Sequence, residues 1–200
     1  NGSDHATFEV DSNGVLQTRN AGTVHLGALS GNGYINNPQA NSGTGVFQIG
    51  FNNANSTFSG SITGTNSIIK VGTGTLTLNG STMQVVTSPD LGLTFVTNNV
   101  LVNNKIAYVG STTINDGVLK LVAPVVLTNW PTPITLASAT AVLDASQMGY
   151  IATDNSTYTN LVTNGVFAVV SGQSLSGIGT IRASKVLLDA GSTFNVGQPT

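Results

Sequence analysis

A chain of 200 residues with 7% charged side chains, a net charge of −2 and only six Lys plus Arg lacks the clustered cations that nucleic-acid phosphates demand. Cysteine is absent, which excludes disulfides, thiolate chemistry and cysteine-based zinc sites. No apolar run approaches the roughly 18 residues of a spanning helix and no basic amphipathic stretch occurs, so neither nucleic acid nor membrane insertion is expected.

The length suffices for one hydrophobic core, so residues 1–200 are expected to form a single module. In chain order, Asp4, His5, Glu9 and Asp11 come first. They are metal-ligand types, but without a matching cluster they read as a solvated strand, and no metal or cofactor is expected. Asn13-Gly14-Val15-Leu16 follows, a sharp turn leading into a strand. His25 lies between Val24 and Leu26 and alternates outward. Leu29-Ser30-Gly31-Asn32-Gly33-Tyr34-Ile35 shares Leu-Ser-Gly-x-Gly-x-Ile with residues 175–181, and residues 62–68 are a weaker third copy with Asn66 for the second glycine. Thr75-Leu76-Thr77-Leu78, Val118-Leu119-Lys120-Leu121 and Ile134-Thr135-Leu136 alternate with period two. Asp116-Gly117-Val118-Leu119 and Asn164-Gly165-Val166-Phe167 repeat the turn-then-strand pattern. Everything points to an all-β chain of short strands.

Short strands with frequent corners fit either a sandwich or a solenoid. Recurrence of one corner phrase favours the solenoid, in which inward side chains stack on equivalent positions of neighbouring coils. Coils of roughly 20 residues spaced by about 4.8 Å predict about ten coils and a length near 48 Å. In residues 70–81 the glycines then form a corner, with Leu76 and Leu78 inward on the wall that follows.

Phe58-Ser59-Gly60-Ser61-Ile62, residues 68–80 and Tyr108-Val109-Gly110-Ser111-Thr112-Thr113-Ile114-Asn115-Asp116-Gly117-Val118-Leu119 together resemble the autotransporter-associated β-strand repeat. The family pattern runs K-x-G-x-G-T-L-T-L-x-G and then Y-x-G-x-T-x-I-x-x-G-x-L, and its core covers about a third of this chain. The resemblance implies a right-handed parallel β-helix from a bacterial secreted or cell-surface protein, here a monomeric module excised from a longer polypeptide and tethered to its other domains. In the family the two halves nearly abut, whereas here residues 81–107 intervene, as an extra coil or as a hairpin leaving the stack. A second unusual stretch covers residues 147–160.

The fold implied by the resemblance also hosts polysaccharide lyases and hydrolases, so catalysis is one candidate. The carboxylates Asp4, Glu9, Asp11, Asp90, Asp116, Asp144, Asp154 and Asp189 are scattered, whereas a glycosidase needs two converging on one bond. A lyase would want a basic residue, and Lys70, within the repeat phrase, reads as structural. Catalysis is therefore not expected. Binding rests on the aromatics. Tyr108, Trp130 and Tyr150 are separated by 22 and 20 residues, near one coil each. Facing outward they would form a ring ladder, with Asn129 beside Trp130, suited to a neutral plant-type polysaccharide such as xylan or glucan. Facing inward they are core. The alternative function is a structural or adhesive passenger segment of a surface protein.

Overall fold

The protein is described by a computed structural model covering residues 2–18, 20–37, 43–79, 86–88, 93–95, 106–123, 133–148, 150–153, 159–162 and 165–197. Among these residues there is no helix. Short strands alternate with tight corners and stack in parallel as a β-solenoid, with successive coils presenting the same faces.

The first face consists of β1 (Gly2–Val10), β3 (Thr23–Gly31), β5 (Gly45–Ile49), β8 (Asn66–Lys70), β13 (Thr112–Ile114), β15 (Ile134–Leu136), β20 (Ser174–Gly177) and β23 (Thr193–Val196), paired in that order. The second contains β6 (Ser56–Phe58), β9 (Thr75–Asn79), β14 (Val118–Ala123), β16 (Val142–Met148) and β21 (Thr180–Arg182), joined to the first because the long β3 rounds the corner and meets β6 through Gly31. The third holds β2 (Val15–Gln17), β4 (Tyr34–Asn37), β7 (Ser61–Gly64) and β12 (Ile106–Tyr108). After the second face of the later coils come β19 (Val166–Val169) and β22 (Lys185–Leu188), parallel to each other.

Period-two alternation places one set of side chains inside, and parallel register piles them into columns. On the first face Phe47, Ile68, Thr112, Ile134 and Leu175 form one column, and Ile49, Lys70, Ile114 and Leu136 the next. On the second, Leu76, Leu119, Leu143 and Ile181 align, as do Phe58, Leu78 and Leu121. On the third the column is Ile35, Ile62 and Ile106. Nearly all of these aliphatics and phenylalanines are fully buried, each contributing about 1.5–3 kcal/mol of transfer free energy.

The recurring Leu-Ser-Gly-x-Gly-x-Ile phrase makes all three corners. At Gly31 it carries the chain from the second face to the third, at Gly64 from the third to the first, and at Gly177 from the first to the second. All three glycines have positive φ, +100°, +79° and +122°. A Cβ at Gly177 would lie 2.0 Å from the Leu136 carbonyl oxygen of the coil below, and one at Gly31 2.2 Å from that of Val10. The phrase thus marks a corner, not a fixed position in the coil.

Among the described residues the first face has eight strand levels, β1 through β23, in a stack of about six turns where ten coils were expected, because two coils are long. Ile68 pairs with Thr112, 44 positions on, and Ile134 with Leu175, 41 positions on. Each excess holds an antiparallel hairpin: β10 (Val86–Ser88) with β11 (Leu93–Phe95), and β17 (Tyr150–Thr153) with β18 (Thr159–Val162). Of residues 81–107, those described form the β10–β11 antiparallel pair and the start of β12; the rest lie outside the described residues.

Candidate binding face

Tyr108 ends β12 on the third face and is 2% exposed. Its hydroxyl shares a 2.5 Å hydrogen bond with Thr112 Oγ1, and burial pushes its pKa well above the ordinary phenol value. This corrects the outward placement: Tyr108 belongs to the core, where Thr112 meets the one polar atom that such a ring brings inside. Trp130 and Asn129 lie outside the described residues. Tyr150 starts the β17–β18 hairpin, its backbone opposite Val162. A three-ring ladder along one coil face is therefore not formed. The Tyr108 ring points inward and the Tyr150 backbone belongs to an antiparallel pair, so spacing near 20 residues does not translate into equivalent positions in stacked coils.

Register shows instead where the irregular connections originate. Asn79, the last residue of β9, pairs with Val122, and Val122 with Gln147; the next pair is Ala123 with Met148. Three consecutive second-face strands, β9, β14 and β16, thus end at neighbouring points in one column, spaced by about 4.8 Å per strand. The first connection contains the β10–β11 hairpin and the third the β17–β18 hairpin. The second, between Ala123 and β15, carries Asn129 and Trp130 in its sequence. Elsewhere the connections are short. Insertions gathered on one edge of a repeat protein are a common form of binding face.

Beside this edge the outer surface of the second face is polar and periodic. Thr57, Thr77, Lys120, Asp144 and Arg182 occupy one outward column. Asn55, Ser56, Thr57, Thr75, Thr77 and Lys120 line a shallow groove. Asn55 Oδ1 accepts from the Thr75 backbone N–H at 2.8 Å, and one coil corner away Asn53 Oδ1 accepts from Thr73 at 2.9 Å. Amides thus cap exposed backbone and hold the groove wall in place. The sequence reading missed this column, whose signal was the outward half of Thr75-Leu76-Thr77-Leu78 taken together with that of Val118-Leu119-Lys120-Leu121.

Among the described titratable groups, Lys70, Asp116 and His25 are each engaged by near neighbours. Lys70 is 1% exposed, within an aliphatic column. Its ammonium donates to the carbonyls of Val71 at 2.6 Å, Gly72 at 2.7 Å and Asp116 at 3.2 Å. Burial lowers its pKa to about 8, while the Asp116 carboxylate opposes that shift. Lys70 therefore ties two stacked corners together, as the structural reading of the repeat phrase expected. Asp116 Oδ1 accepts from the Gly117 N–H at 2.8 Å; hydrogen bonds from the Thr140 hydroxyl and Gly117 hold its carboxyl below the usual range. His25 does face outward, with Nδ1 2.9 Å from Asp4 Oδ1 and its ring stacked on Phe51 at 4.8 Å between centroids. Among the described residues no three His, Asp or Glu side chains converge as metal ligands would, and no helix is long and apolar enough to cross a membrane.

No family model, no curated protein and no solved structure matches this chain.

Proposed function

We propose that the chain is a non-catalytic extracellular module that binds a neutral polysaccharide, xylan or glucan, along the second face and its loop-bearing edge. The observation that carries this is the ending of three successive strands at neighbouring points in one column, next to a groove walled by Asn, Ser and Thr. Hydroxyl-rich chains exchange hydrogen bonds with such groups at little cost, since neither partner loses a strongly held hydration shell. The low charge of the chain fits an uncharged ligand. Trp130 supplies the apolar ring that a sugar's C–H face requires, with Asn129 beside it and Tyr150 on the neighbouring connection; Tyr108 takes no part. The resemblance to the autotransporter-associated repeat supports secretion from a bacterium.

Affinity electrophoresis in gels containing xylan, glucan or mannan tests this. Retardation on one of them is expected, weakened at least about tenfold by Trp130→Ala, the loss of a hot-spot aromatic. Migration unchanged on all three overturns the proposal. A second reading, a structural or adhesive passenger segment, is favoured by the location of Tyr108, since the repeat's aromatic serves packing. It predicts indifference to every glycan and to Trp130→Ala. New ultraviolet absorbance from unsaturated ends on uronate polymers would instead mark a lyase.

A further inference from the structure

The groove on the second face crosses the strands. Asn55 and Thr57 lie at the level of β6, Thr75 and Thr77 on β9, and Lys120 on β14. It therefore extends over three strand levels along the stack, about 10 Å, but over only two outward positions along each strand, about 7 Å. Register turns its two rims into columns. Asn55, Thr75 and Val118 form one, and Thr57, Thr77 and Lys120 the other.

Both rims carry hydrogen-bonding groups that the protein leaves unengaged. Among the described residues the Thr57, Thr75 and Thr77 hydroxyls have no partner, and Lys120 makes no ion pair with Asp144, its neighbour in the column. Asn55 spends its Oδ1 on the Thr75 N–H, which keeps its two amide hydrogens for a ligand. Outward groups of one kind thus recur at the strand spacing, and the backbone ladder holds that spacing fixed. A ligand with the same repeat meets each coil in the same geometry.

We infer that the occupant is a ribbon-like glycan lying along the stack, one sugar ring to each coil. This rests on the polysaccharide-binding reading above and adds to it the class of backbone and its direction. In an extended, equatorially linked chain such as xylan, mannan or cellulose, each sugar advances by slightly more than the strand spacing of about 4.8 Å. Three sugars therefore stay in step with three coils. The first ring meets Asn55 and Thr57, the second Thr75 and Thr77, and the third Val118 and Lys120. Laid along a strand instead, the same chain would find room for a single ring. A coiled backbone such as amylose advances far less per sugar and turns its hydroxyls around the coil, so it keeps step with no column.

Isothermal titration calorimetry with xylo-, cello- and manno-oligosaccharides of two to six sugars tests it, beside affinity electrophoresis in amylose gels. For the series that binds, affinity is expected to climb at least about fivefold from two sugars to three, as the Lys120 level is reached. Thr77→Val, an outward change on the central strand of the groove, should weaken binding about three- to tenfold. Thr135→Val, outward on the first face, should leave it unchanged, and far-ultraviolet circular dichroism verifies the fold of both variants. Three outcomes overturn the inference: no gain from two sugars to three, indifference to Thr77→Val, or retardation by amylose equal to that by xylan. If Trp130→Ala still weakens binding in those cases, the polysaccharide reading itself stands. Binding to none of these glycans removes both.

Discussion

From β3 to β8 the coils are nearly uniform: Leu26 pairs with Ile49 and Ile49 with Lys70, advances of 23 and 21 positions. From β8 to β13 the same advance takes 44 positions, yet Ile68 still meets Thr112 and Ile69 still meets Thr113. The register is therefore set by the inward columns and the corner geometry, and chain length between walls is immaterial to it. Loop-closure entropy grows only with the logarithm of length, whereas a one-residue slip would turn a whole strand's apolar set outward. In this molecule the walls supply stability and tolerate connections of very different length between them.

That division can be broken most severely from the inside. Phe47→Ala, in a fully buried column of the uniform coils, is expected to cost about 3–5 kcal/mol by urea unfolding, as a cavity flanked by stacked neighbours cannot collapse. Gly177→Ala should cost about 2–3 kcal/mol, since it combines a φ of +122° with a Cβ pressed onto the Leu136 carbonyl. A cost below half a kcal/mol would show that the corner relaxes. Lys70→Met leaves three carbonyls without their donor and should cost about 1–3 kcal/mol. The same lysine gives a pH signature. Its pKa falls from 10.5 to about 8 on folding, so between those values the unfolded chain holds more protons than the folded one. Stability should therefore rise with pH across that window. At about 1.4 kcal/mol per pH unit, the gain across the window should be up to about 3 kcal/mol. The Met variant should show no such rise. Smallest of all, replacing residues 84–97 with a short Gly-Ser turn should change stability by under about 1 kcal/mol, because β10 and β11 pair only with each other among the described residues. A collapse of the thermal transition would show that hairpin to be part of the wall.

Much of the architecture was legible because local and global signals agree here. Leu76 and Leu78 point inward where alternation places them, and the glycines of residues 72–74 do form the corner. The corner phrase was recognisable since three turns of the same backbone shape need glycine at the same offset. That it builds three different corners was not legible, because a local phrase carries no label for the face it follows. The proposed alignment of Tyr108, Trp130 and Tyr150 failed for a related reason. Equal spacing implies stacking only if every coil is complete, and Tyr150 lies on a hairpin that pairs antiparallel. The shared departure at Asn79, Val122 and Gln147 needs pairing partners up to 43 residues apart, and no single-strand pattern holds that information.

The clustering of those three departures suits the molecule to engineering. Peptides spliced in after Asn79, Ala123 and Met148 would emerge as a vertical row at the strand repeat, anchored on walls whose folding does not depend on the inserted cargo. An epitope or short enzyme-recruiting tag could be displayed there in triplicate, with a pitch dictated by the backbone and not by a linker.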